Sequence, residues 1–351
     1  MISIDGGYGE GGGQIVRTAL ALSMITQKSF CIENIRVGRR DPGLKAQHLA
    51  GLKALKQLSS STSSDAGVGS TTLTFNPAPL SKKKAEIDIG TAGSITLLLQ
   101  TLLLPLMFCK HRTQLVLIGG TDVEWSPQID YSHEVILPQF QRYADIKLQL
   151  EKRGYYPKGG GKVLLTIAPK NEEHQCQPPL MLLHQQRLVH IKGVSHASAD
   201  LEDARVAERQ AHAAQGALAH LDCDTSIRSE YHQTLSTGSG ITLVALFSTR
   251  EDEIDVENPV RIGADVLGKR GIRAEEIGKQ AADVLQHEIM SGAPVDKHLA
   301  DHLIPLLGMV GGSFTTSEIT NHLKTNIYVT EQFLNVHFRI ENTTVIVEKE
   351  K

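Results

Sequence analysis

The pattern of hydrophobic and polar positions predicts helices and strands in alternation from the start of the chain. A helical pattern runs from Gln14 to Met24, directly after the glycine-rich run Gly6 to Gly13. A strand pattern follows at Ser29 to Val37, and leucines spaced three residues apart then predict a helix from Leu44 to Leu58. The first part of the chain therefore has the pattern of one α/β unit.

The same order of elements returns further along the chain. The glycine-containing turn Gly90 to Ser94 opens a helix at Ile95, and a strand is predicted at Gln114 to Ile118. A helix near Ser132 to Tyr143 and an apolar strand at Lys162 to Ile167 follow, the strand after a third glycine cluster. A repeat of roughly 80 residues that mixes strands and helices predicts a fold of the α/β (α+β) class, built from stacked units of one architecture.

The segment from residue 185 to residue 280 interrupts this repeat with a pattern of its own. It contains strand and helix patterns at Arg187–Gly193, Asp203–Leu221, Cys223–Tyr231, Ile241–Ser248 and Ala274–Met290. We therefore expect a large repeat-built domain, residues 1–184 and 281–351, and a smaller inserted α/β domain, residues 185–280, with a linker near 171–179.

The charge balance limits how the protein could hold a nucleic acid. The 351 residues contain 36 Lys+Arg against 39 Asp+Glu, a formal charge of −3, which argues against binding by bulk positive charge. Residues 1–60 carry 8 Lys+Arg against 4 Asp+Glu, whereas the segment 185–280 carries 11 against 15. Any nucleic-acid role must therefore depend on a local basic cluster.

Cysteine spacing and hydropathy indicate the compartment. The 4 cysteines lie far apart and form no CxxC pair, which suits a reducing compartment and predicts a cytoplasmic protein. The apolar stretch Ile95 to Phe108 contains polar residues and is shorter than the roughly 20 apolar residues that span a bilayer. We therefore expect no membrane partner.

The run Gly9 to Gln14 lies between a predicted strand and a predicted helix. Glycines allow close approach of the backbone to a ligand, and the N-terminus of a helix attracts phosphate. Glu10, Gln14 and Arg17 project towards one side of this helix start, which predicts contacts to a metal, a nucleotide and a phosphate. A tight turn with a surface salt bridge explains the run equally well.

Three arginines come just before the next predicted helix. Arg36, Arg39 and Arg40 stand within five positions, with Asp41 next to them. One guanidinium group can bind two phosphate oxygens at once. Three such groups close together repel each other, and this arrangement is costly unless an anion compensates their charge. The cluster indicates a phosphate site, with a solvated basic loop as the alternative.

Two histidine motifs are candidates for chemistry. His298 and His302 stand at i and i+4, as zinc ligands on a helix do, but Leu299 occupies the position of the catalytic Glu in HExxH. His322 is followed by Leu323, and from the pattern alone it is a candidate nucleophile or an ordinary loop histidine.

Taken together, these segments resemble the RNA 3′-terminal phosphate cyclase family over nearly the whole chain. The matching motifs are DGGYGEGGGQIVR (Asp5 to Arg17), IRVGRRDPGLKAQH (Ile35 to His48), GTAGSITLLLQ (Gly90 to Gln100), GGTDVEWSPQIDY (Gly119 to Tyr131), GYYPKGGG (Gly154 to Gly161), HLAD (His298 to Asp301) and HLKTN (His322 to Asn326). The family fold has repeated ββαβ-type units, like the C-terminal domain of a translation initiation factor and the enolpyruvyl transferases, with a small inserted α/β domain.

The resemblance implies an ATP-dependent enzyme that acts on RNA 3′ ends bearing a terminal phosphate. His322 would attack the α-phosphorus of ATP, form a covalent histidine–AMP and release pyrophosphate. AMP would pass to the RNA 3′-phosphate, and the neighbouring 2′-OH would displace it to leave a 2′,3′-cyclic phosphate.

The resemblance also implies roles for further residues. Gln100 and the segment His298, Leu299, Ala300, Asp301 and His302 would bind ATP, although the family often has Gln where His302 stands. Glu10 would hold Mg²⁺ or Mn²⁺. Arg17, Arg36, Arg39 and Gln47 would bind the phosphates of ATP or of the RNA end, and an oligomer is possible.

Three alternatives remain at this point. A branch of the same family acts in ribosome assembly without cyclase activity, but the histidine at the nucleophile position argues against that interpretation. An enolpyruvyl transferase would share the fold and bind small anionic metabolites. A zinc hydrolase that uses His298 and His302 is the weakest alternative.

Overall fold

The computed structural model describes residues 1–170, 177–249, 255 and 258–349. It has mixed sheets covered by helices, so the predicted α/β (α+β) class is confirmed. Most of the predicted linker at 171–179, including Cys176, lies outside the described residues. No helix in the described part of the chain has the length and apolar character needed to cross a bilayer.

The first two structural units have the same order of elements, β-α-β-α-β-β. The first consists of β1 (Ile2–Asp5), α1 (Gln14–Thr26), β2 (Phe30–Glu33), α2 (Ala46–Leu58), β3 (Thr62–Ser63) and β4 (Leu73–Asn76). The second consists of β5 (Lys84–Asp88), α3 (Ile95–Met107), β6 (Thr113–Gly119), a helical segment, β7 (Ala144–Lys152) and β8 (Gly161–Pro169). The helical segment is made of α4 (Ile129–Tyr131), a π-helical turn (Ser132–Ile136) and α5 (Leu137–Phe140).

A third unit begins with β9 (Leu180–Leu182) and is then interrupted by the inserted elements. These are β10 (Arg187–Ser198), a 3₁₀ turn (Ala199–Leu201), α6 (Val206–Leu218), β11 (Asp224–His232), β12 (Ser239–Ser248), β13 (Val260–Leu267) and α7 (Ala274–Met290). The third unit then resumes with α8 (Lys297–Val310), β14 (Gly312–Thr315), α9 (Asn321–Phe333), β15 (Val336–Glu341) and β16 (Thr344–Lys349). Its order of elements is again β-α-β-α-β-β.

Sheet topology repeats with the order of elements. The strand orders are β1-β2-β4-β3, β5-β6-β8-β7 and β9-β14-β16-β15, and in each sheet only the first two strands are parallel. Parallel neighbours require a crossover connection, which α1, α3 and the insertion plus α8 supply. The inserted elements form a separate sheet with the order β11-β10-β12-β13.

Helices from the three units meet at the centre of the molecule. Helix α1 packs against α3 and α9, and α9 packs against α8. Their facing side chains, including Leu20, Leu102 and Leu303, are fully buried in one continuous core. This packing brings the N-terminal ends of α1 and α9 close together, and the candidate site lies there.

A strand end and a domain boundary differ from those expected from the sequence. Strand β2 ends at Glu33, not at Val37, because Asn34 has a left-handed backbone (φ 55°) that breaks the strand, and Arg36 (φ 56°) has one too. Helix α7 crosses residue 280 and packs against α6, β12 and β13. The division into domains stays a proposal, and we place the second boundary after Met290, so that α7 remains with the inserted sheet.

Candidate active site

A cleft of about 1040 Å³ opens between the first turns of α1, α8 and α9. Ten of the site residues expected from the sequence line it: Glu10, Arg17, Arg36, Arg39, Gln47, Gln100, His298, Asp301, His302 and His322. Leu299 and Ala300 do not line the cleft, because they lie on the buried face of α8 with no exposed surface. The prediction that these two residues contact ATP therefore has no support from their side chains.

The glycine-rich segment between β1 and α1 passes close to the side wall of the cleft. Gly9 and Gly11 have positive φ angles of 59° and 56°, which glycine adopts without strain. A Cβ atom on Gly13 would lie 1.9 Å from Nε2 of His48. Glycine at position 13 therefore allows His48 to approach the start of α1.

His322 lies in the first turn of α9, and its imidazole is about half exposed to the cleft. Thr320 caps this helix, since its hydroxyl oxygen accepts a hydrogen bond from the Leu323 N–H at 2.9 Å. The side-chain amide of Gln14 donates to the backbone carbonyl of His322 at 2.6 Å. The backbone of His322 is thus held from both α1 and its own helix cap.

The Glu10 carboxylate lies between His322 and Arg39. One oxygen, Oε2, is 3.2 Å from His322 Nε2 and accepts a hydrogen bond of 3.2 Å from Arg39 Nη2. Burial lowers the pKa of His322 below its ordinary value, Glu10 opposes that shift, and Arg17 and Arg39 add to it. The imidazole is therefore mainly neutral at neutral pH, which is the nucleophilic form.

Arg17, Arg36 and Arg39 form one side of the cleft, which we call the arginine wall. Burial, followed by the charge of Arg36, lowers the pKa of Arg17 to about 10. Burial, followed by the charge of Arg39, also lowers the pKa of Arg36. Three guanidinium groups held this close are stabilised by an anion, as expected for a phosphate site.

Two polar hydrogen-bond donors at the cleft lack partners among the described residues. His48 Nδ1 accepts a hydrogen bond from the Lys45 N–H at 3.0 Å, so the proton of the neutral ring is on Nε2. Burial lowers the pKa of His48 to about 3, which keeps the ring neutral. The Nε2 of His48 and the Nε of Arg36 are buried and form no hydrogen bond within the described part of the chain. Both are suited to donate to the oxygens of a bound phosphate.

A hydrogen-bonded chain links Arg17 to α8. Arg17 Nε donates to Gln100 Oε1 at 2.6 Å, and the Gln100 amide lies 3.1 Å from His302 Nε2. Because the Gln100 oxygen accepts from Arg17, its NH₂ group donates to His302, and burial keeps His302 neutral with a pKa of about 3. A zinc site at His298 and His302 is not supported, since Nε2 of His302 accepts a hydrogen bond from the Gln100 amide and its lone pair is therefore not available to a metal.

Carboxylates on the opposite side of the cleft have raised pKa values. Burial raises the pKa of Asp301 to about 7 and that of Asp265 to about 6. Thr320 donates to Asp301 Oδ1 at 2.9 Å, and Asn326 donates to the Asp301 backbone oxygen at 2.7 Å. Asp301 thus anchors α9 and its cap to α8, whereas Asp265 accepts a hydrogen bond of 2.6 Å from the Gln128 N–H. Because burial favours the neutral form of both carboxyls, they compete less with a bound phosphate for the arginine wall.

Several residues at the cleft were not assigned a role from the sequence. His48, Trp125, Asp265 and Lys297 line it, as does Asn326, whose amide oxygen accepts a hydrogen bond of 2.8 Å from Thr18. His48 and Asn326 stand inside motifs that matched the family, so a signal for them existed. Arg40 does not line the cleft and is exposed. Fold and site together define an α/β protein with a wall of arginines, a carboxylate and an accessible neutral histidine in one cleft.

Comparison with known proteins assigns the family. The family model for RNA 3′-terminal phosphate cyclase matches residues 8–340. Three relatives with the name RNA 3′-terminal phosphate cyclase come from Pyrococcus abyssi (45% identity over 97% of this chain and 95% of the relative), Archaeoglobus fulgidus (42%, 99% and 100%) and Methanosarcina acetivorans (43%, 99% and 99%). The chain belongs to the RNA 3′-terminal phosphate cyclase family, and the resemblance expected from its motifs is confirmed.

Proposed function

We propose that the protein is an RNA 3′-terminal phosphate cyclase that uses ATP to convert a 3′-phosphate into a 2′,3′-cyclic phosphate. The family match and the names of the relatives support the overall activity. The observation that carries the mechanism is the neutral imidazole of His322, 3.2 Å from Glu10 and facing the cleft with the arginine wall.

In the first step, an imidazole nitrogen of His322 attacks the α-phosphorus of ATP. The N–P bond forms as the bond to the β-phosphate oxygen breaks, and pyrophosphate leaves with the electron pair. Arg17 and Arg36 would stabilise the charge on the ATP phosphates, because nucleotidyl transfer is catalysed largely by positioning and electrostatics. The start of α9 adds the partial positive charge of a helix N-terminus beside the same phosphates.

In the second step, an oxygen of the RNA 3′-phosphate attacks the phosphorus of the histidine–AMP and releases the imidazole. The ribose 2′-OH then attacks the RNA phosphorus, loses its proton and displaces AMP, which leaves the cyclic phosphate. The buried donors His48 Nε2 and Arg36 Nε are suited to hold the oxygens of the terminal phosphate. Gln47, which also lines the cleft, is a further contact for the RNA end.

Glu10 is suited to hold Mg²⁺ or Mn²⁺ together with substrate phosphates. Its carboxylate is about one-third exposed to the cleft. An accessible carboxylate fits such a cation, which commonly takes its other ligands from phosphates and water. When bound, the ion would neutralise phosphate charge, while Glu10 itself orients His322 and Arg39.

The described features support the catalytic cyclase more than the alternatives. A ribosome-assembly protein without cyclase activity does not require an accessible neutral histidine beside a carboxylate, and His322 supplies both features here. An enolpyruvyl transferase would not form a covalent adduct with ATP, so labelling separates that alternative from the cyclase.

The test combines RNA cyclisation with protein labelling. Wild-type protein, Mg²⁺ and ATP labelled at the α-phosphate should give a labelled protein that is stable in base and labile in acid, and a cyclic end on a 3′-phosphorylated RNA. The variant His322→Ala should give neither product. His212→Ala, on the exposed side of α6, is the matched control and should behave as wild type. Equal labelling of the His322 variant and wild type, or no labelling of either, would refute the mechanism.

A further inference from the structure

A second depression, of about 590 Å³, continues from the cleft towards the inserted sheet. Gln47 and Trp125 line both, so the groove joins the place where the RNA end is expected. Its lining includes residues from the loops that follow β6 and β7 and residues that follow β13. We call this depression the aromatic groove, because aromatic side chains line it.

Two large aromatic side chains are exposed at the aromatic groove. Trp125 is 94% exposed and Tyr156 is 75% exposed. A tryptophan ring left in water adds no hydrophobic stabilisation to the fold, so its exposure is unusual. Trp125 also has a left-handed backbone (φ 66°), which is strained for a bulky residue. A turn closed by the hydrogen bond from Ser126 Oγ to the Val123 carbonyl (2.9 Å) projects it outwards.

The loop that carries Tyr156 is rigid. The Gly159 N–H donates to the Tyr155 carbonyl at 2.8 Å, which closes a tight turn around Tyr156. Tyr155 itself is buried, and its hydroxyl is hydrogen-bonded to Nδ1 of His196 at 2.8 Å. The Lys158 N–H donates to Ser236 of the inserted elements at 3.1 Å. Tyr156 is therefore a preorganised flat surface that no described part of the protein covers.

Two cationic side chains line the same groove. Lys269 and Arg270 follow the end of β13, and both line the groove. Lys269 lies 3.5 Å from Glu124 in an exposed ion pair, whereas Arg270 forms no hydrogen bond or ion pair with a described residue. A guanidinium and exposed aromatic rings in one groove are the combination that binds a single nucleic-acid strand, with bases stacked on the rings and phosphates beside the cation.

We propose that the aromatic groove binds the single-stranded nucleotides that precede the terminal phosphate of the RNA. This proposal rests on the proposed function, because the groove continues from the cleft that would hold the 3′-phosphate. Trp125 and Tyr156 supply stacking surfaces, and Arg270 contacts a phosphate. Since every base has a stacking face, the groove favours single strands over duplexes and is tolerant of sequence.

The only tryptophan of the sequence reports on this groove directly. Trp125 fluorescence can be followed while the protein, carrying His322→Ala to prevent chemistry, is titrated with a 3′-phosphorylated oligoadenylate hexamer without ATP. We expect quenching, and a hexamer that binds roughly tenfold or more tightly than a mononucleotide 3′-phosphate. A hexamer that is base-paired along its length should lose this advantage.

Substitutions at two positions that do not line the cleft of His322 make the test specific. Tyr156→Ala should weaken hexamer binding by roughly tenfold while mononucleotide binding stays the same, and Tyr156→Phe should restore it. For hexamer binding, the slope of log K against the logarithm of the salt concentration should become shallower by about 0.7 in Arg270→Ala. In the His322-containing protein, both alanine variants should still become labelled with AMP.

Equal affinities for mononucleotide and hexamer, or an unchanged hexamer affinity in Tyr156→Ala, would overturn the groove proposal. Failure of the proposed function has a different signature. In that case wild-type protein would not become labelled by ATP, whatever the RNA titration shows. Quenching by the hexamer with no labelling would support the groove and refute the cyclase mechanism.

Discussion

Nε2 of His322 lies 3.2 Å from Oε2 of Glu10, and Arg39 donates a hydrogen bond to the same oxygen. The three side chains come from distant parts of the chain: the glycine-rich loop, the turn after β2 and the start of α9. Packing of α1 against α9 brings them together. The charge of Glu10 therefore affects both the nucleophile and the arginine wall.

Glu10→Gln should change the pH dependence of histidine adenylation in a defined direction. Glu10 raises the pKa of His322, which burial holds below its ordinary value. Loss of the negative charge should lower that pKa further, so the acidic limb of the rate profile should move to lower pH. The metal concentration for half-maximal rate should rise by more than about tenfold, because the metal loses a carboxylate. Single-turnover labelling at several pH values measures both effects, and a limb that moves to higher pH would contradict them.

Arg39→Ala should separate the two halves of the reaction. The variant leaves His322 and Glu10 in place, so the histidine–AMP should still form. Transfer of AMP to RNA should fall by roughly 10- to 100-fold, because one guanidinium that would stabilise the terminal phosphate is lost. Pulse-labelled protein chased with 3′-phosphorylated RNA gives the transfer rate. Full retention of cyclisation would remove Arg39 from the site.

The buried Arg153 should contribute more to stability than an exposed ion pair. Arg153 is fully buried and lies 3.2 Å from Asp122 and 2.7 Å from Asp130. Arg153→Met should lower the free energy of unfolding by about 3–5 kcal/mol, because two buried carboxylates lose their partner. The matched control is Arg209→Ala, which breaks an exposed pair with Glu275 and should change little. Urea unfolding measures both, and equal effects would contradict this account.

His48 should make stability depend on pH. Burial lowers its pKa to about 3 in the folded protein, whereas the unfolded chain has a pKa near 6.5. The unfolded state therefore binds more protons between these values, and stability is lost as the pH falls below about 6.5, by up to about 1.4 kcal/mol per pH unit. His48→Asn keeps an acceptor for the Lys45 N–H and should make that dependence shallower. The same slope in variant and wild type would contradict this assignment.

The sequence was most informative where pattern and chemistry agree within one segment. Glycine-rich turns followed by a helical spacing of apolar residues predicted α1 and α3 to within a few residues. The motifs identified Glu10, Gln100 and His322 as site residues, and all three line the cleft. These signals are local, because they depend on helix starts and on hydrophobic faces.

Long-range features were not predictable from the pattern. Strand β9 has three residues, too few for a periodic signal, and its unit resumes only at α8 after the insertion. The aromatic groove also depends on two segments far apart in sequence, Trp125 and Arg270. Leu299 and Ala300 were grouped with ATP contacts because a motif is continuous in sequence, although only one face of α8 meets the cleft.

The most direct test of the account is the position of the AMP adduct. Wild-type protein incubated with ATP and Mg²⁺ is digested under basic conditions, and the modified peptide is identified by mass spectrometry. We expect one adenylated residue, His322, whose AMP is lost when 3′-phosphorylated RNA is added. An adduct on another residue, such as His298 or a lysine of the cleft, or an adduct that RNA does not discharge, would contradict it.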